Sequence, residues 1–492
     1  MFIVDLDGEF ATYVQKKLMN SQLSNLDERS ISNTLDIPTN EHSQEPNEPN
    51  LGDREVESVN TSEFNWFDNS ELESPLYSNV ALSLGNNEAE AEIDGEATAP
   101  LNGARIPLKE LLFVPTEAED PLTKTVTVGN PEGTRFTFNF AEDTPQEVID
   151  GVKQAGENWS AVLKDNVELT IDFNYQPIDE LFGGVLGVAN PNFLALPYEV
   201  VKESLATDAT SSSDRTAVAN LPESEVNYLV NNTAENNGSD TFYLDDNGGL
   251  NNANLNLTRA NAKALGIGLE DLAAISGLTP EEYAALINAQ YGTEVDPNAP
   301  DASPLFNSNV NWDFDPSDGI AADATDFVGT VIHELGHGLG FFSDAEVLDF
   351  LSVASINDVV ETSSTEETQQ AIADSGLESL ADSINVDTLL SENEYFPTTF
   401  DLFRFSPESF EEGARDFTTN NIEGKYFSLD GGETQIAPLA EGLIGELNVG
   451  GFSHWQDNLN LGLMDPIFLP GELEQISEND LLALDAVGWD VV

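Results

Sequence analysis

The alternation of apolar and polar positions first becomes regular at residues 134–140, where TRFTFNF sets Phe136, Phe138 and Phe140 on one face, the period of a half-buried strand. The period then changes. From Thr144 to Leu163, Val148, Ile149, Val152, Ala155, Trp159 and Val162 recur at helical spacing, and Thr144 with Glu147 around Pro145 reads as a capping box. Alternation returns in VELTIDFNY at 167–175, with shorter strands expected at 183–189 and 193–198. A strand, a helix and further strands in this order predict an α+β fold with a twisted mixed sheet, ordered from about Ile106 onward.

Residues 207–293 are polar and broken by Asn and Gly clusters such as Asn247, Gly248, Gly249, Asn251 and Asn252. They read as a loop-rich insertion of limited core with short helices at 258–265 and 280–291. FNSNVNWDF at 306–314 is strand-like, and a turn with Asp313, Asp315 and Asp318 beside Pro316 and Gly319 follows it. Those carboxylates suit Ca2+ or simply a turn. Helices are further expected at 323–340, 365–384 and 477–487, the last capped by Ser477 and turning Leu481, Leu482, Leu484 and Val487 toward the core.

Composition narrows the function. The 17 basic residues stand against 90 acidic ones, a net charge of -73 over 492 residues, which repels nucleic acid and anionic lipid. Between Ser21 and Thr98 only Arg29 and Arg54 are basic, and that stretch reads as a disordered acidic tail behind one short amphipathic helix at 10–18. The chain has no cysteine, so a metal site has to use histidine and carboxylate. The first residues, MFIVDLDGEF, lack a basic leader, and neither a signal peptide nor a membrane span is visible.

The chemistry concentrates in DATDFVGTVIHELGHGLG at 323–340. Phe327, Val331, Leu335 and Leu339 mark a helix, and Gly340 stands where a left-handed turn would end it. His333 and His337 then lie one turn apart, about 6 Å along the axis, and both can reach one ion. Glu334 beside them is placed as a general base that takes a proton from a zinc-activated water. A chain with four histidines rarely forms H-E-x-x-H by accident. Gly336, Gly338 and Gly340 in so short a run imply close backbone approach.

A catalytic zinc needs a third protein ligand. The compact spacing places Ser343 where a third histidine would stand, and Asp344 is out of register by one. The remaining histidines are His42, in the acidic tail, and His454, which opens HWQDNLNLGLMDP with Met464, Asp465 and Pro466 downstream. Asp344 as the third ligand and His454 as a merely structural histidine both remain open on spacing alone.

This arrangement resembles the leishmanolysin-type branch of the metzincin zinc metallopeptidases, where a large insertion separates the helix from a histidine–tryptophan pair and a methionine turn. It also resembles a bacterial, cyanobacterial group of secreted-type metalloproteases through DLFRFS (401–406), YFSLDGG (426–432), SHW (453–455) and GLMDP (462–466). The resemblance implies His333, His337 and His454 as zinc ligands, Glu334 as base, and Met464 packed beneath the metal. It implies an upper catalytic subdomain at 106–340, holding the insertion and the active-site helix, and a lower one at 341–492, after the tail at 1–105. An edge strand pairing with extended substrate is expected at Phe306, Ser308, Val310 and Trp312.

The family's pro-segment cysteine and disulfides are absent, so any latency needs another device. Arg404 in DLFRFS reads as an internal ion-pair partner rather than an oxyanion donor. The reading is a monomeric metalloendopeptidase acting on peptide or protein substrates, extracellular or at the cell surface although no signal peptide is seen. The alternative is a non-catalytic zinc- or calcium-binding surface protein on the same fold; a structural zinc would then require a fourth ligand such as Asp344.

Overall fold

Phe136, Phe138 and Phe140 are wholly buried, as their alternation requires, in the middle strand of the sheet Leu122–Gly129, Arg135–Ala141, Glu168–Asp172. The structure is a computed structural model that describes residues 82–85, 122–178, 185–291, 295–345, 348, 395–419, 424–440 and 451–492. These residues belong to one compact unit, 75–274 with 278–492, except Ile275–Gly277, which are assigned with 1–74 to another. The fold is α+β with small mixed sheets.

Helix α1 (Gln146–Val162) buries Val148, Ile149, Val152, Ala155 and Trp159. The expected capping box is not formed: Pro145 is the N-cap and no side chain bonds the first turn. Proline lacks an N–H and brings a fixed φ, so the helix starts there without a polar cap. Trp159 instead serves the interior, its indole N–H donating to the carbonyl of Ile332 at 2.9 Å. That bond joins α1 to helix α2 (Phe327–Gly338), the expected motif-bearing helix.

A second sheet lies against α2. Its strands are β1 (Leu82–Gly85), β2 (Asn174–Gln176), β3 (Val185–Val188), β4 (Leu305–Asn307) and β5 (Ile467–Phe468), in the spatial order β5-β1-β3-β4-β2. β1 runs antiparallel to β3 and parallel to β5, and β4 runs antiparallel to β3 and parallel to β2. β1 thus falls inside the stretch read as an unordered acidic tail. The rest of that tail, the helix expected at 10–18 and the one at 365–384 lie outside the described residues.

The sheet corrects the expected substrate strand. β4 is hydrogen-bonded on both sides, and Phe306 is fully buried and stacked on Phe173 at 4.8 Å. Trp312 pairs with Thr325 and gives its indole N–H to the carbonyl of Asn307, while Ser308 and Val310 sit in the intervening turn. Alternating apolar residues report burial, and they do not distinguish an inner strand from an edge. The strand facing the motif helix is β3, whose outer edge is taken by β1.

The region 207–293 also differs from expectation. Val226, Tyr228, Val230, Leu257 and Ile267 within it are fully buried. Its strand Tyr228–Val230 pairs with Arg415–Asp416, and Asn254–Thr258 pairs with Phe193–Pro197. Buried asparagines explain why it looked like loop. Asn252 donates to the carbonyls of Val226 and Asp245, and Asn261 to that of Val487, so these polar side chains do backbone work inside the core. The carboxylates of Asp313 and Asp315 accept from nearby backbone N–H groups of their own turn and do not converge with Asp318 on one point.

The last helix, α3 (Glu478–Ala486), starts at Ser477 as expected, with Leu484 and Val487 buried and Leu481 and Leu482 half-buried. Among the described residues no helix is long and apolar enough to cross a membrane. Trp159→Phe removes the only side-chain hydrogen bond that α1 gives to Ile332 and leaves a void, and should lower unfolding free energy by about 1–3 kcal/mol in chemical denaturation. An unchanged midpoint would mean that α1 does not anchor α2.

Candidate metal centre

Helix α2 has no solvent face: each of its residues from Phe327 to Gly338 is buried, its polar Thr330, His333, Glu334 and His337 included. Its N-terminus is capped by Asp326, which accepts from the N–H of Gly329 at 2.9 Å. Gly340 ends it at φ +117°, with its N–H on the carbonyl of His337 and that of Phe341 on Gly336. A side chain at that φ would be strained, so the glycine expected to turn the chain does so.

His333 and His337 project from one face, and both are fully buried. Nδ1 of His333 is 2.9 Å from the carbonyl of Leu463, and Nδ1 of His337 is 2.8 Å from that of Phe341. A carbonyl only accepts, so each Nδ1 carries the proton and each Nε2 presents a lone pair. Those Nε2 atoms stand 3.0 Å apart, and Nε2 of His454, also fully buried, is 3.2 Å from that of His333. The third histidine therefore joins the pair across 121 residues of sequence.

Burial pushes the His333 imidazole down to about 4 against the weaker opposing effect of its Leu463 bond, and pushes His337 well below its ordinary value, with His333 and His454 adding to the effect. The two helical imidazoles are accordingly neutral at neutral pH. Neutral nitrogens meeting lone pair to lone pair repel, and a cation between them removes the repulsion. Their separations approach the roughly 3.3 Å edge of a tetrahedron with metal–nitrogen bonds of about 2.0–2.1 Å. The donor set thus fits one divalent ion.

Glu334 is buried beside them, and strand β3 runs against it: a Cβ placed on Gly187 would lie 3.0 Å from Glu334 Oε1. Ser83 of β1 is the antiparallel partner of Gly187, and Gly85 of β1 pairs with Phe468, whose ring centroid is 4.9 Å from that of His333. An extended segment of the chain itself therefore passes alongside the carboxylate and the histidines.

Met464 packs against α2 at Gly336, which lies between the two helical histidines in sequence. A Cβ on Gly336 would come within 2.7 Å of its Sδ, which is why that helical position has no side chain. The turn carrying Met464 is held by Asp480, a residue that spacing did not single out. Its carboxylate is buried and accepts from the N–H groups of Leu463, Met464 and Ser477 and from the indole of Trp455, at 2.8, 3.2, 2.7 and 2.8 Å. Burial raises its pKa and these donors pull it back. The signal was present as Ser477 followed three residues later by Asp480 at the start of α3, a capping box whose acid also reaches outward.

Asp401 plays a comparable part behind His454. It accepts from Ser343 Oγ at 2.6 Å, from the N–H of Thr398 at 2.8 Å and from that of Asp344 at 3.2 Å, while Ser343 N–H donates to Ser453 Oγ at 2.9 Å. Asp344 accepts from Asn256 at 3.0 Å, and the converging group is His333, His337 and His454 without it. Arg404 is wholly buried and donates to the carbonyl of Phe452, with its guanidinium over the Phe452 ring and its charge felt by Asp401.

A family model described as SPBPB7E8-like matches residues 292–373, a stretch containing α2 and ending before His454. No curated protein and no solved structure matches the chain.

Asp480→Asn turns an amide N–H2 toward groups that only donate, and should cost about 2–4 kcal/mol of stability. It should also lower metal content, measured by elemental analysis of the folded variant. Full metal occupancy with unchanged stability would remove Asp480 from the support of the site.

Proposed function

We propose that the protein is a zinc-dependent endopeptidase of metzincin type, with His333, His337 and His454 holding the metal and Glu334 as general base. The observation that carries the reading is the convergence of three buried Nε2 atoms, two from H-E-x-x-H, beside a carboxylate and a strand that pairs with extended chain. Three nitrogen donors leave the fourth position of a tetrahedral ion to water or substrate, which distinguishes a catalytic site from a closed structural one. Met464 under Gly336 agrees with the methionine turn that the resemblance implies.

A bound zinc would supply Lewis-acid polarisation of a peptide carbonyl and would acidify water. The chain supplies the rest. Strand β3 orients an extended peptide by main-chain hydrogen bonds, with Gly187 leaving room for the Glu334 carboxylate beside it. Glu334 takes the proton of the attacking water and delivers it to the leaving amine nitrogen. The carbonyls of Leu463 and Phe341 keep His333 and His337 in the tautomer that offers Nε2.

The position of β1 defines the path that substrate takes in this reading, because a peptide pairing with β3 has to displace it. It also supplies the latency device that a chain without cysteine needs. Removal of residues 1–85 is expected to raise casein hydrolysis severalfold. Equal activity of full-length and shortened chains would mean that β1 does not compete with substrate.

Metal content and casein hydrolysis of the parent, Glu334→Ala and His454→Ala test the assignment together. About one zinc per chain is expected in the parent. Glu334→Ala should keep it and lose at least about a hundredfold in kcat/KM, and His454→Ala should lose the metal. Full zinc and activity in His454→Ala would overturn the ligand set. Zinc without hydrolysis in the parent, even after removal of 1–85, would leave a metal-binding protein rather than a peptidase.

A further inference from the structure

Strand β1 is paired on both sides, antiparallel to β3 and parallel to β5, and helix α2 with its histidine motif lies against it. It is seated as an extended peptide would be between two strands, held by main-chain hydrogen bonds. The register says which peptide links lie nearest the chemistry. Ser83 is opposite Gly187, where a Cβ would stand 3.0 Å from Glu334 Oε1, and Gly85 is opposite Phe468, whose ring centroid is 4.9 Å from that of His333. Leu84 is the residue between them, paired with Val185 on one side and Ile467 on the other.

The ladder is irregular at the same place. Between Ser83 and Leu84 the pairing passes from Gly187 to Val185, leaving Leu186 of β3 without an opposite residue. A bulge of this kind bends the strand that carries it and disrupts the hydrogen bonds beside it. An unbroken ladder commits each carbonyl and N–H to a neighbour. Here the interruption falls within the short stretch of β1 that runs from the Glu334 side to the His333 side.

We infer that β1 is the first substrate of the site it covers, the peptide bond on one side of Leu84 being hydrolysed within its own chain. The inference rests on the peptidase reading. Water gives a proton to Glu334 and its oxygen to the carbonyl carbon of Ser83 or Leu84. The C–N bond then breaks with its electron pair on nitrogen, and the proton held by Glu334 passes to that nitrogen. A carboxylate and an amine result, and no further reactant is needed. Because the strand is already paired, no encounter has to precede the step. A cut there divides a strand of four residues between two new ends, each too short to hold its place in a sheet. The edge of β3 is then open to other peptides. The strand that closes the site is in this way removed by the site itself.

The test follows the intact mass and the new amino-termini of the full chain after zinc is added to metal-free protein. A fragment starting at Leu84 or Gly85 should accumulate at a rate unchanged by about tenfold dilution, and casein hydrolysis should rise with it after a lag. Glu334→Ala with zinc bound should form that fragment at least about a hundredfold more slowly. The inference is overturned if the zinc-bound parent stays whole, if its first cut lies away from Leu84, if the rate falls with dilution, or if Glu334→Ala is cut as fast as the parent. The two readings fail separately. A parent that stays whole while the chain lacking 1–85 hydrolyses casein overturns self-cleavage alone, whereas absence of hydrolysis in both overturns the peptidase reading as well.

Discussion

The site depends on holding a histidine against a helix that lies 121 residues before it in sequence. One contact between imidazoles is too weak to fix a segment so far away in sequence. The approach has to be enforced from outside, and one buried carboxylate does much of it. Asp480 gathers four N–H donors from the His454 segment, the methionine turn and the start of α3, so that all three move as a body. A buried charge surrounded by donors is costly to perturb and hence specific in geometry.

The opposite wall is fixed by contacts of a different kind. Trp159 is bonded to α2 through a carbonyl, and its ring lies 3.4 Å from the place a Cβ on Gly336 would occupy. Met464 fills the other side of that position. The helix is thus pinched between an indole and a thioether at a residue between its histidines. A glycine inside a helix costs about 1 kcal/mol in propensity relative to alanine, and here that loss is offset by packing that no larger side chain permits.

Much of this could be read in the sequence because it rests on local periodicity and residue chemistry. The helix at 327–338, the turn at Gly340, the strand with Phe136, Phe138 and Phe140 and the start of α3 follow from spacing alone. His454 could be nominated because the chain has so few histidines. What stayed hidden was pairing. Phe306 alternates as a strand residue does, but the pattern could not show that its strand is an inner one, since the neighbours of a strand are set by residues far away in the chain. Asparagines such as Asn252 and Asn261 looked like loop formers and are buried bridges between backbones. Strand β1 was invisible inside an acidic stretch whose composition argued for disorder.

That strand has a consequence in terms of competition. β1 belongs to the same chain as β3 and meets its partner edge intramolecularly, at an effective concentration set by their connection. Dilution of the protein leaves this unchanged. Any free peptide that pairs with β3 has to match it by abundance or by side-chain contacts. The edge of β3 then discriminates by affinity, and severing β1 from the chain would change its pairing from unimolecular to bimolecular.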